Sequence, residues 1–139
     1  MSVRILICGI SGSGKSQLAK ELHEILPHSI RLNGDLVRSL TKDWDFSMEG
    51  RIRQAHRMKE ISLSLKHDYI IVDFIAPTQK IRDIFKPDVL IWMHTTNSSQ
   101  YADTDLLFED PINYEFKIET KDAAKHAQDI YKYLKVMYG

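Results

Sequence analysis

Four residues near the start of the chain have types and spacing suited to phosphate chemistry. Gly9, Gly14, Lys15 and Ser16 fill the fixed positions of G-x-x-x-x-G-K-S within ILICGISGSGKSQLAKEL, residues 5–22. A lysine can hold β- and γ-phosphates as a point charge, and a serine hydroxyl can ligate Mg²⁺. Glycines let backbone N–H groups turn inward around an anion. Such a loop needs a strand before it and a helix after it, because the helix N-terminus adds partial positive charge. The flanks meet that need. Residues 3–8 are apolar at nearly every position, as in a strand buried on both faces, and Leu18, Leu22, Ile25 and Leu26 recur at helical spacing. The loop therefore reads as a site for ATP, with Gly9, Ser11, Gly12, Ser13, Gly14, Lys15, Ser16 and Gln17 around the phosphates and Mg²⁺ on Ser16.

The elements that must position this loop follow from the rest of the pattern. Strands are expected near 3–8, 29–33, 69–75, 88–94 and 115–119, and helices near 15–26, 34–41, 47–66, 78–84 and 121–137. YIIVDFI and DVLIWMHT are short, apolar and β-branched, which suits buried parallel strands. The last helix carries Ala123, Ala127, Ile130, Leu134 and Met137 on one stripe, read as core packing. Alternating strands and helices predict an α/β fold: a three-layer sandwich with a five-stranded, mostly parallel sheet and the P-loop kinase architecture. The 139 residues fit one domain, 1–139. Nineteen basic and nineteen acidic residues cancel, which disfavours nucleic acid and an anionic membrane surface as partners. The lone cysteine, Cys8, lies inside the first strand and reads as a buried, unreactive thiol. With no signal-peptide pattern and no apolar run of membrane-spanning length, a cytoplasmic location is expected.

A GTPase would show D-x-x-G and N/T-K-x-D, and neither is present. A small-molecule kinase needs only a donor cradle, an acceptor pocket and something that closes over both. In RLNGDLVRSL, Asp35 and Arg38 share one helix face just past the second strand. The carboxylate could orient an acceptor hydroxyl and the guanidinium could fork onto an anion, or the two could form a solvated ion pair. In the next helix, capped by Ser47, the stripe of Ala55, Met58, Ile61, Ser62 and Leu65 extends back to Arg51 and Gln54, while Arg53 and Arg57 fall on a more solvated side. Asp73 ends the third strand, where it could stand near Mg²⁺ or cap the following turn. Pro77 is expected to begin the next helix, and Arg82 is the last arginine in the chain.

Together these stretches resemble the adenylylsulfate kinase (APS kinase) family, whose pattern runs G-x-S-G-x-G-K-S/T, L-D-G-D-x-x-R, F-S-x-x-x-R-x-x-N and F-I-S-P followed by an arginine. Here they read GISGSGKS, LNGDLVR, FSMEGRIRQ and FIAP with Arg82. The resemblance implies transfer of the ATP γ-phosphate to the 3′-hydroxyl of adenosine 5′-phosphosulfate. It implies Lys15 and Asp35 as catalytic residues, and Arg38, Arg51, Gln54 and Ile75 as acceptor contacts. Phe46 and Phe108 would be the two aromatics that sandwich the acceptor adenine, and a homodimer follows by analogy, while Ser16 and Asp73 are metal candidates from their own positions in the loop and at the strand end. Asn33, Gln54 and Ala76 depart from the family's aspartate, asparagine and serine. The lysine-rich lid is replaced by the short, acidic TNSSQYADTDLLFEDP, so no arginine there can neutralise the transferring phosphoryl group.

Two rival readings stand beside this one. A kinase for a nucleoside, a sugar acid or a polynucleotide 5′-end keeps the donor site and changes the pocket. A catalytically silent nucleotide-binding module would explain the shortened lid but not the retained Lys15, Ser16 and Asp35.

Overall fold

The computed structural model describes residues 2–99 and 101–139. Five strands, β1 (Val3–Cys8), β2 (Ser29–Asn33), β3 (Tyr69–Asp73), β4 (Val89–Met93) and β5 (Phe116–Ile118), form one sheet in the order β2-β3-β1-β4-β5. Every pairing between them is parallel, where the sequence pointed only to a mostly parallel sheet. The helices are α1 (Lys15–Ile25), α2 (Gly34–Thr41), α3 (Met48–Ser64), α4 (Gln79–Phe85), α5 (Ala102–Leu107) and α6 (Ala123–Tyr138).

Strand alternation divides the core into two halves. Ile5, Ile7, Ile71, Val89 and Ile91 face one side, where Leu18, Ala19 and Leu22 of α1 and Ala127, Ile130 and Leu134 of α6 cover them. Leu6, Cys8, Ile70, Val72, Leu90 and Trp92 face the other, under Ala55 and Met58 of α3 and Ile81 and Phe85 of α4. Burial on both faces is why these strands are continuously apolar. It also pushes the Cys8 thiol up to about 12, so it stays protonated and inert, as its place in the first strand implied. Met137 breaks the expected α6 stripe: it lies in the last turn, beyond the sheet's cover, and is 56% exposed.

Three further boundaries differ from the sequence reading. β3 stops at Asp73, so Phe74 and Ile75 leave the sheet and are free to line a cleft. Pro77 does not begin a helix; the Thr78 hydroxyl accepts from Ile81 N at 3.2 Å and caps α4, which starts at Gln79. α5 was not expected at all, since its six residues ADTDLL are too few for a helical apolar stripe.

One buried arginine ties the lower ends of the layers together. Arg4 on β1 donates to Ser62 Oγ of α3 and to the Phe85 and Lys86 carbonyls at the end of α4, each at 2.8 Å. Its guanidinium lies 4.2 Å over the Phe85 ring, which also meets Phe74 edge-on at 5.7 Å. Phe85 is fully buried, so Phe85→Ala is expected to cost about 3–5 kcal/mol in urea unfolding through the cavity it leaves. A loss below about 1 kcal/mol would show that α4 repacks freely.

Candidate functional site

Parallel strands all end on one edge of the sheet, and there β1 runs into the glycine loop. Gly9 must be glycine: its φ is +151°, and a Cβ would stand 2.7 Å from the Met93 carbonyl oxygen. Gly14, with φ +97°, opens α1 and offers no side-chain cap. By contrast, α2, α3, α4 and α6 are each capped by their own side chain, from Asn33, Ser47, Thr78 and Asp122. No acidic residue lies in the first turn of α1 either. The N–H groups there are left for an anion from outside. Loop position is fixed from both sides, by Thr95 Oγ1 donating to the Ser13 carbonyl at 2.8 Å and Lys121 Nζ donating to the Gly12 carbonyl at 2.9 Å.

The side chains of the loop meet the end of β3. Lys15 Nζ donates to the Ile10 carbonyl at 3.0 Å, and Ser16 Oγ donates to Asp73 Oδ2 at 3.1 Å. Asp73 is 2% exposed, and its other oxygen, Oδ1, is buried without a partner. Burial raises its pKa, opposed by hydrogen bonds from Asn33 and Ser16 and by the charges of Arg31 and Lys15. Burial likewise lowers the Lys15 pKa, opposed first by Asp73. A buried carboxylate oxygen with no partner is costly. With the Ser16 hydroxyl beside it, the oxygen donor set suits a hard divalent cation that takes its remaining ligands from phosphate and water. Among the described residues no group of three or more His, Cys, Asp or Glu could hold a metal by itself.

From the loop the cleft continues into a cavity of about 960 Å³. Of the residues singled out from the sequence, Ser11, Gly12, Gly14, Lys15, Ser16, Gln17, Asp35, Arg38, Phe46, Arg51, Gln54, Asp73 and Ile75 all line it. Gly9 and Ser13 lie beneath the loop, with the Ser13 side chain fully buried.

Arg38 and Arg51 are 6% and 7% exposed, yet their hydrogen bonds go to neutral oxygens. Arg38 donates to the Asp43 and Asp45 carbonyls at 2.9 and 3.3 Å, and Arg51 to the Phe46 carbonyl and Thr104 Oγ1, both at 2.9 Å. The Arg38 and Arg51 guanidiniums lie 4.4 and 5.3 Å from the centroid of the Phe46 ring. Among the described residues neither pairs with a carboxylate, so the Asp35–Arg38 ion pair that the spacing allowed does not form. The carboxylates nearby are taken elsewhere. Asp43 binds Arg53 at 2.7 Å and Arg57 at 2.9 Å, and Asp45 binds Arg53 at 3.1 Å. Arg57 is thus not simply solvated: it also donates to Gln54 Oε1 at 2.8 Å, and Gln54 Nε2 in turn holds the Gly34 carbonyl at 3.0 Å. Gly50 permits this loop to close on α3, since a Cβ there would run into the Asp45 carbonyl oxygen.

Phe108 stands apart from the cavity. Its backbone N–H closes α5 on Thr104 O, Glu109 N donates to Pro77 O, and the ring packs on the α3/α4 half of the core with the Arg82 guanidinium 5.4 Å away. Arg82 itself is spent on the Ala76 and Glu109 carbonyls at 2.8 and 2.6 Å. Trp44 and Tyr101, half exposed, line the cavity instead, with Trp44 6.4 Å from Phe46. Sequence reasoning passed over both, and over Thr104. A tryptophan two residues before the F-S pair was the available signal; Tyr101 and Thr104 depend on α5.

The comparisons agree with this geometry. A family model described as adenylylsulphate kinase matches residues 1–106. An adenylyl-sulfate kinase of Staphylococcus haemolyticus is 42% identical over 89 residues, 59% of this chain and 45% of that protein. One from Buchnera aphidicola is 35% identical over 92 residues, 61% and 45% of the two chains. The matches thus span less than half the length of these curated relatives. Among solved structures, the Mycobacterium tuberculosis APS kinase in complex with AMPPNP and APS aligns with TM-score 0.76 at 19% identity, covering 96% of this chain and 98% of that one. Shikimate kinase from Acinetobacter baumannii, in complex with shikimate, aligns with TM-score 0.68 at 18% identity over 100% and 97%. At these identities the likeness is one of fold.

The Asp43 clamp carries a pH prediction. Hydrogen bonds from Arg53 and then Arg57 hold the Asp43 carboxyl well below the usual range. A depressed carboxylate adds stability that is present above its unfolded pKa, about 3.9, and lost as pH falls through the lower folded value. The melting-temperature gap between the natural protein and Asp43→Asn is therefore expected at pH 7 and closes below about pH 4. A gap constant from pH 7 to 2 would remove charge from the account of the clamp.

Proposed function

The chain belongs to the adenylylsulphate kinase family, and from that premise we propose that it transfers the γ-phosphate of ATP to the 3′-hydroxyl of adenosine 5′-phosphosulfate. The observation that carries this reading is one cavity with a phosphate cradle at one end and two buried arginines without carboxylate partners at the other. Two anionic substrates fit such a cavity, one at each end. The cavity is also large enough for a nucleotide beside a triphosphate tail.

The uncapped start of α1 and Lys15 bind the β- and γ-phosphates of the donor. Ser16 and Asp73 Oδ1 are the residues that would hold Mg²⁺, which when bound supplies charge neutralisation on the phosphate oxygens. On the acceptor side, Arg38 and Arg51 hold the phosphosulfate, and Phe46 with Trp44 and Tyr101 offers aromatic faces to the base. Asp35, exposed on the first turn of α2, orients the 3′-hydroxyl and takes its proton. The hydroxyl oxygen bonds to the γ-phosphorus as the bond to the β,γ-bridging oxygen breaks, leaving ADP. Catalysis is then mainly a matter of positioning and of positive charge on the acceptor side.

Phe108 lying outside the cavity favours a second reading, a kinase for a different anionic hydroxyl acceptor. The two separate in an assay of ADP release from Mg·ATP with APS, nucleosides, sugar acids or 5′-hydroxyl oligonucleotides. The first reading predicts stimulation by APS with 3′-phosphoadenosine 5′-phosphosulfate as product; stimulation by another acceptor alone would replace it. Lys15→Ala is expected to lower kcat about 10²–10³-fold. Arg51→Ala is expected to raise the acceptor KM about tenfold or more, as loss of a charge-assisted contact does, with the KM for ATP unchanged. An unchanged acceptor KM would make Arg51 a structural link to α5.

A further inference from the structure

We propose that Asn33 is the positioning residue for Asp73, holding its carboxylate in one orientation so that one oxygen stays free for a divalent cation. The inference rests on the reading of Ser16 and Asp73 as the cation's holders. β2 and β3 run parallel with Asn33 and Asp73 as register partners. Both are the last residues of their strands. Alternation turns both toward α1, since Leu32 and Val72 just before them belong to the opposite half of the core.

Every polar atom of the Asn33 side chain is used. Oδ1 accepts from Leu36 N at 3.0 Å and caps α2; Nδ2 donates to Asp73 Oδ2 at 2.7 Å and to Ser16 Oγ at 3.4 Å. Asp73 Oδ2 also accepts from Ser16 Oγ at 3.1 Å, so it is committed twice while Oδ1 has no partner. An amide accepts at the helix start through one atom and donates to the carboxylate through another. An ionised aspartate could cap but not donate, and a serine hydroxyl, one bond shorter than the amide and with a single oxygen, does not span both partners while it caps. Asn33 thus holds the carboxylate in one orientation, joins the start of α2 to the phosphate loop, and leaves a single oxygen for the cation. Without it, the carboxylate plane would be free to rotate out of the orientation the cation needs.

The test uses the full chain with a non-hydrolysable ATP analogue and Mn²⁺ as the probe, counting free Mn²⁺ by electron paramagnetic resonance. Asn33→Ser keeps a capping oxygen and removes the amide donor. It is expected to weaken Mn²⁺ in the analogue complex roughly 10–100-fold, as loss of an outer-shell partner does. Analogue affinity in EDTA and the melting temperature should stay as they are. Asn33→Thr, which also caps, takes the place of the serine variant if that one melts early. Asp73→Asn serves as the reference for loss of the holder itself. Unchanged Mn²⁺ affinity in Asn33→Ser beside a loss in Asp73→Asn would reduce Asn33 to a helix cap and overturn the inference alone. Unchanged affinity in both would overturn the assignment of Asp73 as a holder. An equal fall of analogue affinity in EDTA would show a distorted loop and also overturn the positioning role.

Discussion

The N–H groups in the first turn of α1 have no side-chain cap, and the functional half of the molecule is organised around that deficit. A helix start in this state is tolerable in water and useful beside an anion, but not packed against apolar groups. The fold keeps it at the edge of the sheet by running β1 through the centre, between β3 and β4. The loop can then reach the helix only by passing close to β4, which is why Gly9 has no room for a Cβ. The strands on either side end at the same level and supply groups that hold the loop: Asp73 of β3 accepts from Ser16, and Thr95 just past β4 donates to the Ser13 carbonyl.

Charge on the acceptor side is sorted by depth. Asp43 and Asp45 turn their carboxylates outward to Arg53 and Arg57, while their carbonyls point inward to Arg38. The outer pairs are partly exposed and contribute little stability singly. Together they hold residues 43–46 in place, which keeps the inner guanidiniums supported by dipoles rather than neutralised by anions. Desolvation lowers the pKa of both inner arginines. A pair of desolvated, unneutralised guanidiniums on a Phe46 face is a site with excess positive potential, in a chain whose formal charge is zero. The formal charge of the whole chain therefore says nothing about what this cleft attracts.

The segment after β4 closes one wall of the cavity. α5 is tied to α3 through the Thr104–Arg51 hydrogen bond, and the chain beyond it is tied to Arg82 and Pro77. Arg82, which the sequence suggested as part of a functional motif, is consumed by these backbone carbonyls. In the proposed transfer, cationic help for the phosphoryl group is left to Lys15 and to Arg38 and Arg51.

The sequence alone determined the glycine-loop half of the cleft. Glycines, lysine and serine act through the backbone between one strand and the next helix, so their spacing carries the geometry. The apolar runs and helical stripes placed ten of the eleven elements for the same local reason, and the eleventh, α5, was too short to show a period. Tertiary structure decided the acceptor half. Whether Arg38 meets Asp35, a nearby carbonyl or a ligand depends on how residues 43–46 fold back on α3, which no spacing encodes. Phe108 packs on the α3/α4 half of the core beside Arg82, and Trp44 and Tyr101 reach the cavity through loop and α5 geometry, none of which spacing encodes. The pairing of Asn33 with Asp73 is a matter of register between strands forty residues apart in the chain. Each residue type was legible, but the hydrogen bonds that join them exist only once β2 lies beside β3.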